Sequence, residues 1–148
     1  MPLKTFFLNI DADAMIIDAT NAILGRLSSH TAKQLLAGNE VSIVNAEKAR
    51  ISGNGNTIKE KYHERRARGS PQHGPFFPTK PELIVRRTIR GMLPYKTPKG
   101  RAAFKKLRVY SGIPKELEGK EMSSAAVREL STESITVGRL AKTIGWRG

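Results

Sequence analysis

Apolar and polar positions alternate between two regimes along this chain. Met15-Ile16-Ile17-Asp18-Ala19 is a short apolar run closed by Thr20-Asn21, which predicts a buried strand followed by a helix start. Leu24, Leu27, Thr31, Leu35 and Leu36 then recur at helical spacing, and Gly38-Asn39 predicts a left-handed stop. Val41-Ser42-Ile43-Val44-Asn45 is a second apolar strand, so strand, helix and strand joined by short links predict a βαβ unit on a parallel sheet. Arg50-Ile51-Ser52 reads as a short strand entering the turn Gly53-Asn54-Gly55-Asn56.

Beyond that turn the pattern changes. Thr57 with Glu60 resembles a capping box opening a polar helix through Lys61, Arg65 and Arg66 that ends near Gly69 and has little to bury. The run Gly69–Lys80, with three prolines and two glycines besides His73, Phe76 and Phe77, predicts an extended loop. A third helix is expected from Pro81-Glu82, capped by Thr79 or Lys80. On its wheel Ile84, Val85, Thr88, Ile89, Met92 and Leu93 share one half, and Arg86, Arg87 and Arg90 share the other with Leu83. A fourth helix follows Pro98 through Arg101, Phe104 and Leu107, with Arg101, Lys105 and Arg108 on one side. Leu107-Arg108-Val109-Tyr110 is the last core strand expected. The remainder predicts short helices over Ser124–Leu130 and Thr136–Ile144, with Trp146 as an anchor.

Charge sharpens this picture. The 148 residues carry 26 Lys and Arg against 13 Asp and Glu, a net charge of +13. Residues 1–58 are neutral with five of each sign, 59–108 hold fifteen basic and three acidic side chains, and 109–148 hold six and five. The excess is thus confined to one central stretch, which points to a localised polyanion footprint rather than a uniformly charged surface. Helices that bear an apolar stripe on one side and arginines on the other have one face to dock and one to meet phosphates. No helix-turn-helix or finger pattern is present, and loops rich in Arg, His and Phe suit folded RNA better than duplex DNA. His73, Phe76 and Phe77 either stack on exposed bases or fold back as an apolar plug; the residues alone leave both open.

Other chemistries are poorly supported. Gly53-Asn54-Gly55-Asn56 sits where a phosphate-cradling turn would, but the third glycine of the dinucleotide fingerprint and any Gly-Lys-Ser or Gly-Lys-Thr are missing, and a plain tight turn explains it. His30, His63 and His73 are scattered, there is no cysteine, and no Gly-x-Ser-x-Gly elbow surrounds a serine. Asp11, Asp13 and Asp18 read as a solvated start and a strand end. No apolar run approaches the roughly 20 residues that span a bilayer, and the first residues are too acidic for a signal peptide. The expectation is a soluble intracellular protein without metal, cofactor, small-molecule substrate or membrane contact.

Ile17-Asp18-Ala19, Leu24-Gly25-Arg26-Leu27, Val44-Asn45-Ala46-Glu47-Lys48, Arg90-Gly91-Met92-Leu93-Pro94 followed by Gly100-Arg101, and Leu107-Arg108-Val109-Tyr110-Ser111-Gly112 occur in that order. Together they resemble the signatures of the large-subunit ribosomal protein L13 family over about residues 15–114. The chain has no extra segment between the first helix and Val41, and its basic His63–Lys80 region is similar to that of the archaeal and eukaryotic branch. The resemblance implies an α/β fold, three-layer α/β/α around a mainly parallel four-stranded sheet, within residues 1–114. Residues 115–148 would form a C-terminal extension on that domain or its neighbours. It implies no enzyme, but a structural constituent of the cytoplasmic ribosome that binds large-subunit ribosomal RNA beside other ribosomal proteins and supports early assembly. On the basic region 59–108 the expected RNA-binding residues are Lys61, Arg65, Arg66, Arg68, His73, Lys80, Arg86, Arg87, Arg90, Lys96, Lys99, Arg101, Lys105, Lys106 and Arg108.

Overall fold

The computed structural model describes residues 15–123 and 132–148, so Asp11, Asp13 and the helix expected over 124–130 lie outside the described residues. Strands β1 (Met15–Asp18), β2 (Val41–Val44) and β4 (Leu107–Val109) form a parallel sheet in the order β1-β2-β4, with Met15 opposite Val41 and Val41 opposite Leu107. Five α-helices are described: α1 (Leu24–Leu36), α2 (Gly55–Ala67), α3 (Pro81–Met92), α4 (Pro98–Lys105) and α5 (Val137–Ile144). The α/β class and the mainly parallel sheet are as expected. The fourth place in the sheet is narrow, a single parallel bridge between Ile17 and Ser123 on the outer edge of β1.

Side chains alternate across the strands, so each face of the sheet has its own core. Ile17, Val41, Ile43 and Leu107 point into the main core, to which all five helices contribute. Ile16 and Val44 point the other way and are covered by Leu117, Tyr110 and Met122 around the 3-10 turn Lys115–Leu117. The third layer is therefore thin among the described residues.

Residues 134–144 add to the main core. Strand β5 (Ser134–Thr136) pairs antiparallel with β3 (Arg50–Ser52), and α5 buries Val137, Leu140, Ala141 and Ile144. Helix α5 was expected; β5 was not, because three residues carry no pattern of their own and are ordered by the partner strand. Trp146 packs partly buried against the same core. Two helix starts also differ from expectation. The side chain of Asn54, not Thr57, caps α2 by accepting from the amides of Asn56 (2.9 Å) and Thr57 (3.4 Å). Helix α1 begins at Leu24 without a side-chain cap, since Thr20 is held by Asp18 and Asn21 is left-handed at φ 59°.

The carboxyl ends of the strands are tied together. Asp18 Oδ1 accepts from the Thr20 amide (3.0 Å), the Thr20 hydroxyl (2.7 Å) and the Asn45 side chain (3.1 Å). Asn45 takes the left-handed conformation at φ 57°, its amide donates to Gly112, and Glu47 Oε2 accepts from the Gly112 amide (2.9 Å). Burial pushes the Asp18 carboxyl up, but bonds from Thr20 and Asn45 together with the charge of Lys48 outweigh it and hold its pKa below the ordinary value.

Asp18→Ala, which leaves donors of Thr20 and Asn45 without this acceptor, is expected to cost about 1–3 kcal/mol in urea unfolding at neutral pH. With a depressed folded pKa, this stability is present above the unfolded value and is lost as pH falls through the folded one. The gap between wild type and variant should therefore shrink in acid. An equal gap at every pH would contradict this role.

Candidate nucleic-acid interface

Helix α3 seats the basic region. Ile84, Val85 and Ile89 are buried in the main core, and Pro81 starts the helix where a missing amide is tolerated. The arginines on its other side are half-buried rather than extended into water. Arg86 lies over the Phe104 ring at 4.5 Å and Arg90 over Tyr95 at 5.1 Å. Arg87 lies over Phe77 at 4.6 Å, and on α2 Arg65 lies over Tyr62 at 5.3 Å. The rings pair edge to face, Tyr62 with Phe77 at 5.4 Å and Tyr95 with Phe104 at 5.5 Å. Two sets of the same composition result, each an aromatic pair with two arginines. Each stack contributes about 0.5–1 kcal/mol at such partly exposed positions. It also limits the guanidinium's freedom in advance, so less entropy is lost when a phosphate is bound.

The Tyr95–Phe104 set rests on a close backbone approach. A Cβ at Gly100 would fall on the carbonyl of Pro94, which ties the Gly91–Pro94 segment to the start of α4. Thr97 caps that helix, its hydroxyl accepting from the Gly100 amide (3.2 Å) and donating to the Pro94 carbonyl (2.7 Å). Arg101 donates to the carbonyls of Tyr95 (3.3 Å) and Lys96 (3.1 Å) and so holds the turn. Lys106 Nζ donates to the Gly38 carbonyl (3.3 Å). Lys96, Lys99 and Lys105 are exposed around this set.

The Tyr62–Phe77 set joins α2, α3 and the loop between them. Tyr62 is the one buried side chain of α2; burial raises its hydroxyl pKa against the opposing charge of Arg65, so it stays protonated. Phe77 is the plug and Phe76, 69% exposed, is not. The Phe76 carbonyl accepts from Arg87 (3.2 Å), which fixes the loop to α3. At the loop tip Ser70 Oγ accepts from the amides of Gln72 and His73. Lys61, Arg66, His73 and Lys80 are exposed, Lys80 being the N-cap residue of α3. Arg68 pairs with Glu64 at 2.7 Å, the single ion pair between described residues and, being exposed, a weak one.

Not every expected residue joins these sets. Arg108 is exposed on β4 and, by alternation, belongs to the sheet face of Ile16 rather than that of the helices. Tyr62, Tyr95 and Phe104 were missed as partners of the arginines. Tyr62 and Arg65 are three apart on one helix, which was readable; Phe104 with Arg86 is a contact between helices and was not.

Other sites take their own partners. The Asn54 side chain occupies the first amides of α2, where a phosphate would otherwise sit. The strand ends, where many α/β proteins bind ligands, are closed by Asp18, Asn45 and Glu47. Among the described residues no three His, Cys, Asp or Glu side chains come together, and no helix is long and apolar enough to cross a membrane.

Comparison with known proteins gives a consistent result. The family described as Ribosomal protein L13 matches residues 12–116. A large ribosomal subunit protein uL13 from Methanosarcina barkeri is 50% identical over 135 residues, covering 88% of this chain and 96% of its own length. Proteins of the same name from Archaeoglobus fulgidus and Methanopyrus kandleri are 45% and 44% identical, covering 92% and 89% of this chain and 90% and 87% of theirs.

Gly100→Ala is expected to lower unfolding stability by about 1–3 kcal/mol through overlap with the Pro94 backbone. It should also loosen the Tyr95 turn, seen as faster amide exchange at Tyr95 and Thr97. Unchanged stability would mean that the two segments are not locked together.

Proposed function

We propose, from the premise that the chain belongs to the ribosomal protein L13 family, that it is a structural constituent of the large ribosomal subunit and binds ribosomal RNA through the basic face of α2, α3 and α4. The family is one of ribosomal proteins and not of enzymes. In this reading residues 1–114 are the ribosomal-protein domain and 115–148 an extension against it or against neighbouring subunit proteins. The working place is the cytoplasmic ribosome.

The observation that carries the reading is the pair of arginine-aromatic sets splayed from one helix. Arg86 and Arg90 go to one and Arg87 with Arg65 to the other, with no carboxylate between described residues neutralising them. A rigid body with two cationic patches can hold two RNA segments at once and offset their mutual repulsion, which is how a protein without catalytic groups supports assembly. The roles then divide. Arg65, Arg86, Arg87 and Arg90 are oriented phosphate contacts. Lys61, Arg66, Lys80, Lys96, Lys99 and Lys105 are mobile ones, and His73 meets RNA at the loop tip. Arg68, Arg101 and Lys106 contact RNA while also holding local structure, and Arg108 contacts a further segment from the sheet's other face.

Lys96, Lys99 and Lys105 changed together to Gln should leave thermal unfolding unchanged and weaken binding to large-subunit ribosomal RNA. The slope of log affinity against log salt should fall by roughly 0.7–0.9 for each phosphate that is no longer neutralised. An unaltered slope would remove these lysines from the interface.

A further inference from the structure

A groove of about 520 Å³ is bounded by the first turn of α1, β3, α2 and α3. Its floor is apolar: Ile23, Leu24, Ile51 and Ile58, with the Tyr62 and Phe77 rings. Three cations, Lys61, Arg65 and Arg87, line it and no carboxylate does. Ser52 and Thr88 add hydroxyls; the Thr88 hydroxyl donates to the Ile84 carbonyl, which leaves its oxygen able to accept. An apolar floor with cations and a few hydroxyls suits a flat, mostly apolar group attached to an anion. The volume lies within the roughly 300–1,000 Å³ usual for sites of that kind of ligand.

Two lining residues sharpen the point. Gly25 in α1 and Gly91 in α3 have ordinary helical backbone, and a Cβ built on either meets no protein atom within 4 Å. Neither a positive φ nor internal packing calls for glycine at these two places near the helix ends. Both open the groove down to the helix backbone. Gly91 is the second-last residue of α3, and Gly25 the second residue of α1.

We propose that this groove is a binding site for one unpaired nucleotide of an RNA strand, its base on the apolar floor between the two helical glycines and its phosphate on Lys61, Arg65 and Arg87. The site rests on the RNA-binding reading above and goes beyond it: the groove reads an extruded base, whereas the rest of the face meets backbone phosphates. Arg65 and Arg87 serve both, since their ring stacks hold them at the groove's edge.

The test uses the full chain with Gly25→Leu or Gly91→Leu, which fill the groove from open positions and improve helix propensity, so the melting temperature should hold or rise. Lys61→Glu, on the exposed rim, is a further variant that disturbs no buried side chain. Large-subunit ribosomal RNA bound by each protein is probed by 2′-hydroxyl acylation. The expected result is that one or two unpaired nucleotides protected by the wild type regain reactivity with all three variants, with about tenfold weaker binding, while the other protections persist. If the leucine variants keep every protection and the wild-type affinity, the groove is not a nucleotide site, although the RNA-binding reading stands. If instead they bind RNA normally but lose affinity for free adenosine monophosphate, the groove serves a free nucleotide and the proposal fails. No RNA binding by the wild type overturns both readings.

Discussion

The burial of one face of α3 is the constraint on which the rest of the structure depends. Ile84, Val85 and Ile89 are removed from water against α1, β4 and the core of the sheet, each contributing about 1.5–3 kcal/mol. A twelve-residue helix pinned so firmly has no rotational freedom left, and its opposite face is fixed as well. Arg86 is thereby aimed at α4, Arg90 at the turn between α3 and α4, and Arg87 at the loop before α3. Hydrophobic burial, which has no direction of its own, is converted into a definite placement of charge.

The short motifs that identify the family are mostly contacts with one another. Asp18 meets Asn45 and Glu47 meets Gly112, so three stretches distant in the chain share one junction, while Pro94 meets Gly100 in a second, local one. One closes the carboxyl ends of the parallel strands, where an enzyme of this class would place its ligand. The other sets the aromatic turn under Arg90. Gly25 and Gly91 fit neither junction, which is why they lead to the groove and not to the fold.

Much of the architecture was legible because it follows local pattern. Strands β1 and β2, the stop at Gly38, the starts of α3 and α4, and α5 lie where apolar spacing, Pro and Gly placed them. What was not legible depended on partners distant in sequence. Strand β5 exists through β3, and the cap of α2 went to Asn54 because its side chain reaches two amides at once. The basic stripe was readable as charge, but the stacking of Arg86 was not, since Phe104 reaches it only after α4 folds back, nor that of Arg90, which depends on the turn that places Tyr95. The loop alternatives divided between neighbours: Phe77 turned inward and Phe76 outward.

The central claim is that a rigid basic face, organised by α3, makes this chain part of the large ribosomal subunit. Sedimentation of lysate at moderate and at high salt tests it most directly, with wild type beside a variant carrying Arg86→Glu, Arg87→Glu and Arg90→Glu whose fold is checked by circular dichroism. The account predicts one wild-type chain per large subunit at both salts, and a folded variant left in the soluble fraction. A wild-type chain that stays soluble would contradict the ribosomal placement, and a variant retained as well as wild type would contradict the role of α3.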